Sequence, residues 1–415
     1  MVDTGSFDKV LVISHKLLQI QDLDLLLESL LGEAIAAVGA DAGSIYLAEG
    51  SALKFSYTQN ATLQKKLSLG KKLIYSRFKI AIDNHSLAGY VANNGISLNV
   101  GNAYEIPPFQ PYSFDKSFDE ETGYQTRSVL TIPIKFAGNK TIGVIQLINA
   151  LNASGSIRAF TATDESIVQF LANHAAVIIE RAQTTRSMIL IINKMIAVHA
   201  PQEQVEHASQ VAAYATEIYE AWALKKGISK QELEHNRDTL RIAAMLHDIG
   251  KIAVPSEILA IPQDQLTQEQ LQLKCAHTIK GAMILSNQYS ELESIASEVA
   301  LNHHENWDGS GYPGHIDPKD GSPLPGYEKA PGQAFGKIGV EIPLYARIVA
   351  VANTYDIIAN RPDQADGNVK KQQDQAVKEI LSSSGSKFDP EVVTAFAGCL
   401  DILFSLTNDY DQRKL

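Results

Sequence analysis

The chain has 415 residues, 45% hydrophobic and 20% charged, which allows two or three domains with ordinary soluble cores. Forty-seven acidic residues against 36 basic ones leave a net charge of −11, the wrong sign for a surface that must neutralise duplex phosphates. Cys275 and Cys399 are too few for a disulfide framework. The first residues lack the basic and apolar segments of a signal peptide, and the run Met188 to Ile192 is far shorter than the ~20 residues of a membrane span. These features read as an acidic, cytoplasmic, multidomain protein.

From Phe7 to Val38 the spacing of Val10, Ile13, Leu17, Leu18, Leu25, Leu26, Leu30 and Ile35 predicts one or two helices with a single apolar stripe. Short runs with strand composition follow, at Ser44–Leu47, Leu53–Tyr57, Val129–Ile132 and Ile142–Ile148. Turns rich in Gly and Asn separate them, as in an antiparallel sheet built of hairpins. From about Thr163 the pattern is helical for nearly forty residues, and beyond Pro201 only helical segments and loops are expected. The fold class is therefore an α+β N-terminal domain joined by a long helix to an all-α domain. The expected boundaries are 1–180 for the first domain, 164–200 for the connecting helix and 201–415 for the second domain.

Within the connecting helix, Ile167, Leu171, His174, Ile178, Ala182, Thr185, Ile189, Ile192, Ile196 and His199 step by four and three almost throughout. Such spacing suits a coiled-coil seam, and so a homodimer through this helix. The same stripe would also serve for packing against the chain's own domains.

Eight of the eleven histidines lie between His199 and His315. His247 and Asp248 are adjacent near a helix end, in Leu246-His247-Asp248-Ile249-Gly250-Lys251. His277 follows, then Asn302-His303-His304-Glu305-Asn306-Trp307-Asp308-Gly309-Ser310-Gly311-Tyr312-Pro313. Upstream, Glu203 and His207 share one face if their segment is helical. Imidazoles with carboxylates are the ligand set for zinc, iron or manganese, and their number suggests more than one ion.

The stretch from about Gln202 to Ala397 resembles the HD-GYP subgroup of the HD phosphohydrolases. The resemblance rests on His247-Asp248-Ile249-Gly250-Lys251, His303-His304-Glu305 and Asp308-Gly309-Ser310-Gly311-Tyr312-Pro313, extended by Ile342–Ile348 and Phe388-Asp389-Pro390-Glu391. It implies a helical domain that holds two or three divalent metals, often iron and sometimes manganese, and hydrolyses cyclic dinucleotides, chiefly cyclic di-GMP. His247, Asp248, His277, His303 and His304 then correspond to metal ligands, with Asp248 bridging and also counted as catalytic. Glu203 and His207 correspond to the pair that holds a third metal. Lys251 corresponds to a catalytic and phosphate-binding cation. Gly311, Tyr312 and Pro313 would shape the substrate mouth, with Tyr312 stacking on a base, and Arg347 and Arg361 would meet substrate.

This chain departs from the family pattern in three places. Asn353 stands where an Asp ligand is usual, so an amide oxygen without charge would ligate, while nearby Asp356 reads as an ordinary helix residue. Arg361-Pro362-Asp363-Gln364 keeps one phosphate donor of the usual two. Gly314 to Glu341 replaces a connection about a third as long with a Gly/Pro-rich loop, expected to be a lid or a disordered excursion. These changes leave an inactive cyclic-dinucleotide receptor, or a phosphodiesterase for cyclic GMP-AMP, as alternatives.

The first half, from about Phe7 to Arg181, resembles a GAF domain through Ala42–Leu47, Leu87–Ala92, Gly123–Pro133 and Ile142–Asn149. That implies a sensor domain open to a small-molecule or cyclic-nucleotide effector. Of the cyclic-nucleotide-binding signature, Asn149, Phe160, Asp164 and Glu165 are present, but Ala150 replaces the Lys that pairs with the Asp.

Overall fold

The computed structural model describes residues 4–66, 79–136, 140–200, 206–286, 290–360 and 369–411. Two compact units divide the chain, Met1–Thr185 and Arg186–Leu415. Among the described residues no single helix is long and apolar enough to cross a membrane.

The first unit opens with helices α1 (Thr4–Gln19) and α2 (Leu23–Val38). Asp22 caps α2 by accepting from the Asp24 and Leu25 amides, and Gly39 ends it in the left-handed conformation. Then come β1 (Ala40–Glu49), β2 (Ala52–Asn60), the single turn α3 (Ala61–Gln64), β3 (Lys79–Ala81), α4 (Leu87–Asn94), β4 (Leu98–Val100), α5 (Ser117–Thr122), β5 (Val129–Phe136), β6 (Lys140–Leu151) and β7 (Ile157–Arg158). The strands form one antiparallel sheet in the order β3-β2-β1-β6-β5-β4, with β7 added beside β6. The four expected strand segments lie within β1, β2, β5 and β6. The short strands β3, β4 and β7 were not legible, because two or three residues show no period.

Strand alternation gives the sheet two faces. Ile45, Leu47, Leu130, Ile132, Ile145 and Leu147 pack on Leu26, Leu30, Val168, Leu171 and Ile179 of the helices. On the opposite face Tyr46, Phe55 and Val144 pack on Val91 and Ala92 of α4.

Helix α6 (Ala162–His199) is 38 residues long. About half of its expected seam packs within its own chain, while His174 is exposed and Ile167, Thr185, Ile192 and His199 are partly buried. Leu171, Ile178 and Ala182 are buried in the first unit's core, and Ile189 is buried in the second's. A different face carries exposed Val177, Met188, Ile191, Met195 and Val198.

The second unit consists of α7 (His207–Lys226), α8 (Lys230–Met245), a 3-10 turn (Ile249–Ala253), α9 (Ser256–Leu259), α10 (Gln268–Cys275), α11 (His277–Leu285) and α12 (Glu291–Asn302), then the strand pair β8 (Glu328–Ala330) and β9 (Gln333–Ala334), then α13 (Leu344–Ala359), α14 (Val369–Ser382), α15 (Pro390–Gly398) and α16 (Leu400–Asp411). Tyr214, Leu240, Ile348, Tyr355, Phe388 and Phe396 lie in its core.

The expectation of no strand beyond Pro201 and of a disordered 314–341 excursion is corrected here. That segment carries β8 and β9, and the His315 ring stacks on Tyr327 at 3.7 Å between centroids. Buried Glu305 holds both of its ends, accepting from the Gly314 amide at 2.5 Å and the Lys337 amide at 3.2 Å.

Candidate metal centre

Helix ends converge to build the site. His207 opens α7, while His247 and Asp248 follow the last turn of α8. His277 opens α11, and His303 and His304 follow α12. The 3-10 turn after Asp248 can lie against α11 only because position 250, which meets the α11 backbone, has no side chain. A Cβ on Gly250 would strike the His277 carbonyl and the Gly281 backbone.

The ligand atoms fall into two groups that share Asp248. One set of atoms from Asp248, His277, His303 and His304 lies within 4.8 Å of one another, as does a set from His207, His247 and Asp248. Nε2 of His247 is 3.0 Å and Nε2 of His207 is 3.9 Å from Asp248 Oδ2. Nε2 of His277 and His303 lie 3.4 and 3.6 Å from Oδ1.

The opposite ring nitrogens decide what these distances mean. His247 Nδ1 is 2.8 Å from the Ala244 carbonyl, His277 Nδ1 is 2.8 Å from that of Lys274, and His303 Nδ1 is 3.0 Å from that of Ala300. Carbonyls only accept, so each Nδ1 carries a proton, and in a neutral ring the opposite Nε2 then presents a lone pair to the centre. Burial pushes His277 down to about 3 and also lowers His303 and His304, so these imidazoles stay neutral. Among the described residues, Nε2 of His247, His277 and His303 and Oδ1 of Asp248 are buried without a hydrogen-bond partner. The lone pairs of His277 and His303, facing the carboxylate across 3.4 and 3.6 Å, repel it, and a cation between them turns that repulsion into coordination. The residues fit a divalent metal site.

The remaining sequence candidates fall into several positions. Lys251 Nζ is 2.7 Å from Asp248 Oδ2, beside the cluster. Tyr312 stacks on His304 at 4.9 Å between ring centroids, so one ring face is used within the protein. Gly311 makes a close backbone approach, where a Cβ would strike the Asn306 amide, and Pro313 follows Tyr312 through a cis peptide. Asn353 is buried on α13, and its Oδ1 has no partner among the described residues. Arg347 pairs instead with Asp389 at 2.5 Å and lies over the Trp307 ring. Glu203 and Arg361 lie outside the described residues.

Asp356 requires a correction. It is not an ordinary helix residue, because His207 Nδ1 donates to its Oδ2 at 2.6 Å. The available signal was its position one turn after Asn353 on the same helix face.

A GAF domain model matches residues 22–179 and an HD domain model matches residues 169–323. The chain joins a GAF domain to an HD domain. Among curated relatives, this GAF–HD chain is 31% identical over 226 residues to a cyclic di-GMP phosphodiesterase of Thermotoga maritima, covering 54% of this chain and 52% of that protein. It is 28% identical to a 3′3′-cGAMP-specific phosphodiesterase of Vibrio cholerae, covering 49% of this chain and 33% of that protein. It is also 31% identical to a cyclic di-GMP phosphodiesterase response regulator of Xanthomonas campestris, covering 46% and 41% respectively. The chain thus spans about half or less of these relatives' length.

Proposed function

We propose that this GAF–HD protein is a metal-dependent phosphodiesterase of the HD-GYP type that hydrolyses cyclic di-GMP to pGpG or GMP under control of its GAF domain. The observation that carries the reading is the convergence of neutral imidazole lone pairs on one buried carboxylate, Asp248. This nitrogen and oxygen set suits zinc, iron or manganese, and the resemblance to HD-GYP domains points to two or three ions, iron first and manganese second. His247, Asp248, His277, His303 and His304 would hold them, with His207, Glu203 and Asn353 completing the set.

Bound cations of this kind acidify water and neutralise phosphate charge. The chain's own side chains supply the rest. Asp248 belongs to both ligand groups and so fixes their spacing. Lys251 brings a positive charge to the same carboxylate edge, where it can donate to a phosphate oxygen. The backbone-tight Gly311 turn holds Tyr312 beside His304 at the edge of the cluster.

Two observations support other outcomes. Neutral Asn353 favours a receptor that binds without turnover, and the cGAMP-specific relative favours the mixed dinucleotide. Protein reconstituted with Fe2+ or Mn2+ is incubated separately with cyclic di-GMP and 3′3′-cGAMP, and products are separated by chromatography. Linear product from cyclic di-GMP is expected; tight binding without product under both metals overturns the enzyme reading.

A homodimer through α6 belongs to the same proposal, but through its exposed face. Met188, Ile191, Met195 and Val198 step by three and four, with β-branched residues alternating with Met. A second copy of the chain presents the matching apolar face.

A further inference from the structure

Helix α6 does more than lead into the second unit. Asn193 and Ile196 are buried, and with Ile189 and Ala200 they form a stripe stepping by four, three and four. Two polar side chains on this part of the helix reach the segment that carries the metal-site residues. Asn193 Nδ2 donates to the Met245 carbonyl at 3.2 Å. His199 Nε2 lies 2.6 Å from the Val254 carbonyl and donates to it.

Met245 ends α8, where carbonyls have outrun their helical amide partners, so the Asn193 amide caps a group that burial would otherwise leave costly. Val254 follows the 3-10 turn and is itself buried against Ala200 and Leu259. His247, Asp248 and Lys251 all lie between these two anchors. Six residues separate Asn193 and His199, about 9 Å along a helix axis. Both ends of the His-Asp segment are therefore tied to one rigid rod.

We propose that Asn193 and His199 are positioning residues for the metal centre, holding the two ends of the segment 245–254 at the spacing that aims His247 and Asp248 at their partners. A shift of α6 along its axis, or a rotation about it, moves both anchors together. The helix begins at Ala162, within the residues of the GAF domain, so the device gives one continuous element a grip on the site geometry. This inference rests on the metal-centre reading above.

The test uses the full chain and Mn2+ alone, with affinity and stoichiometry measured by competition with a chromophoric chelator. Asn193→Leu/His199→Leu is expected to weaken Mn2+ binding by about tenfold, the scale on which groups supporting a ligand act. His199→Gln, which restores a donor, is expected to bind within about twofold of the parent in an Asn193 background. Lys194→Ala, on the exposed side of the same turn, serves as control. If the parent binds Mn2+ and the double variant binds it equally well, the positioning role is overturned while the site reading stands. If the parent binds no Mn2+, the site reading fails first. Should the double variant lose its fold, the comparison of His199→Leu with His199→Gln decides. Equal affinity in that pair overturns the proposal, and weaker binding by the Leu variant alone supports it.

Discussion

Asp356 accepts a hydrogen bond from His207 at 2.6 Å, so a buried carboxylate on α13 orients an imidazole on α7 whose other nitrogen faces Asp248. The same carboxylate's Oδ1 accepts from Asn360 at 2.7 Å, which holds it in place. An anion behind a ligating imidazole fixes its tautomer and raises its basicity. Asp356→Leu should therefore cost about tenfold in affinity for the ion nearest His207. Metal content per chain, measured after dialysis at limiting metal, should fall by one equivalent while the ions held by His277, His303 and His304 remain. Unchanged stoichiometry would remove Asp356 from the site.

Metal removal should expose a pH dependence. His277 is held near 3 by burial, against 6.5 for the free imidazole. A depressed imidazole lets the unfolded chain take up a proton that the fold refuses, so stability is full above about 6.5 and falls as the pH drops toward 3. For this group alone the loss between about pH 7 and about pH 5 is about 2 kcal/mol, and His303 and His304 shift in the same direction. The midpoint of thermal unfolding of chelator-treated protein should drop over that range, and His277→Gln should flatten the drop. A midpoint independent of pH would show that His277 is not buried as described.

The GAF signature illustrates what a sequence conceals. Read by position, Ala150 is a lost cation, because the expected partner of Asp164 should stand there. In the sheet, Ala150 of β6 pairs directly with Arg158 of β7, and Arg158 reaches Asp164 at 2.6 Å. The cation has moved across one strand pair, and a strand of two residues has no sequence period to reveal it. Asp164 also accepts from the Thr161 amide at 2.7 Å while its own amide donates to Thr161 Oγ1, a reciprocal cap on α6. Arg158 holds the Asp164 carboxyl below its ordinary value even though burial opposes this. The His-Asp and His-His doublets were legible for the opposite reason, since ligand types at fixed spacing survive without any knowledge of register. Asp356 was not, because its role depends on a helix 149 residues away in sequence.

Removing the relocated cation should be measurable. Arg158→Ala loses a pair that is about one-third exposed on the Arg side, so its cost is expected near 1 kcal/mol in denaturant unfolding. Asp164→Ala also removes the cap and should cost about 2 kcal/mol. The exchange Ala150→Lys with Arg158→Ala should recover part of the first loss. If Arg158→Ala is silent while Asp164→Ala is costly, the cap alone matters and the relocated pair contributes nothing.

Asn353 presents a buried oxygen with no partner among the described residues, but no charge. Asn353→Asp adds a carboxylate of nearly the same shape where the lone pair already stands. With metal present, the added charge should tighten Mn2+ binding by about tenfold. Without metal it buries an unpaired charge, so the chelated protein should unfold at a lower temperature than the parent. The two opposite signs form one prediction. A variant that loses stability both with and without Mn2+ would place position 353 outside the coordination set.

The exposed face of α6 gives the last prediction. Met188, Ile191, Met195 and Val198 are 60%, 54%, 57% and 84% exposed, while the neighbouring Ile189 and Ile196 are buried. A core-facing stripe and a solvent-facing stripe on one helix mean that charge can be added to the second without disturbing the first. Ile191→Glu with Met195→Glu places two like charges on each strand of the proposed seam, and in a parallel pair each meets its own copy. Light scattering coupled to size exclusion should show a dimer for the parent and a monomer for the variant, with unchanged helicity. Ile189→Glu, by contrast, should destabilise the fold itself, because that side chain lies in the second unit's core. A variant that remains dimeric with both glutamates in place would assign association to another surface and leave this stripe as exposed apolar surface on a single chain.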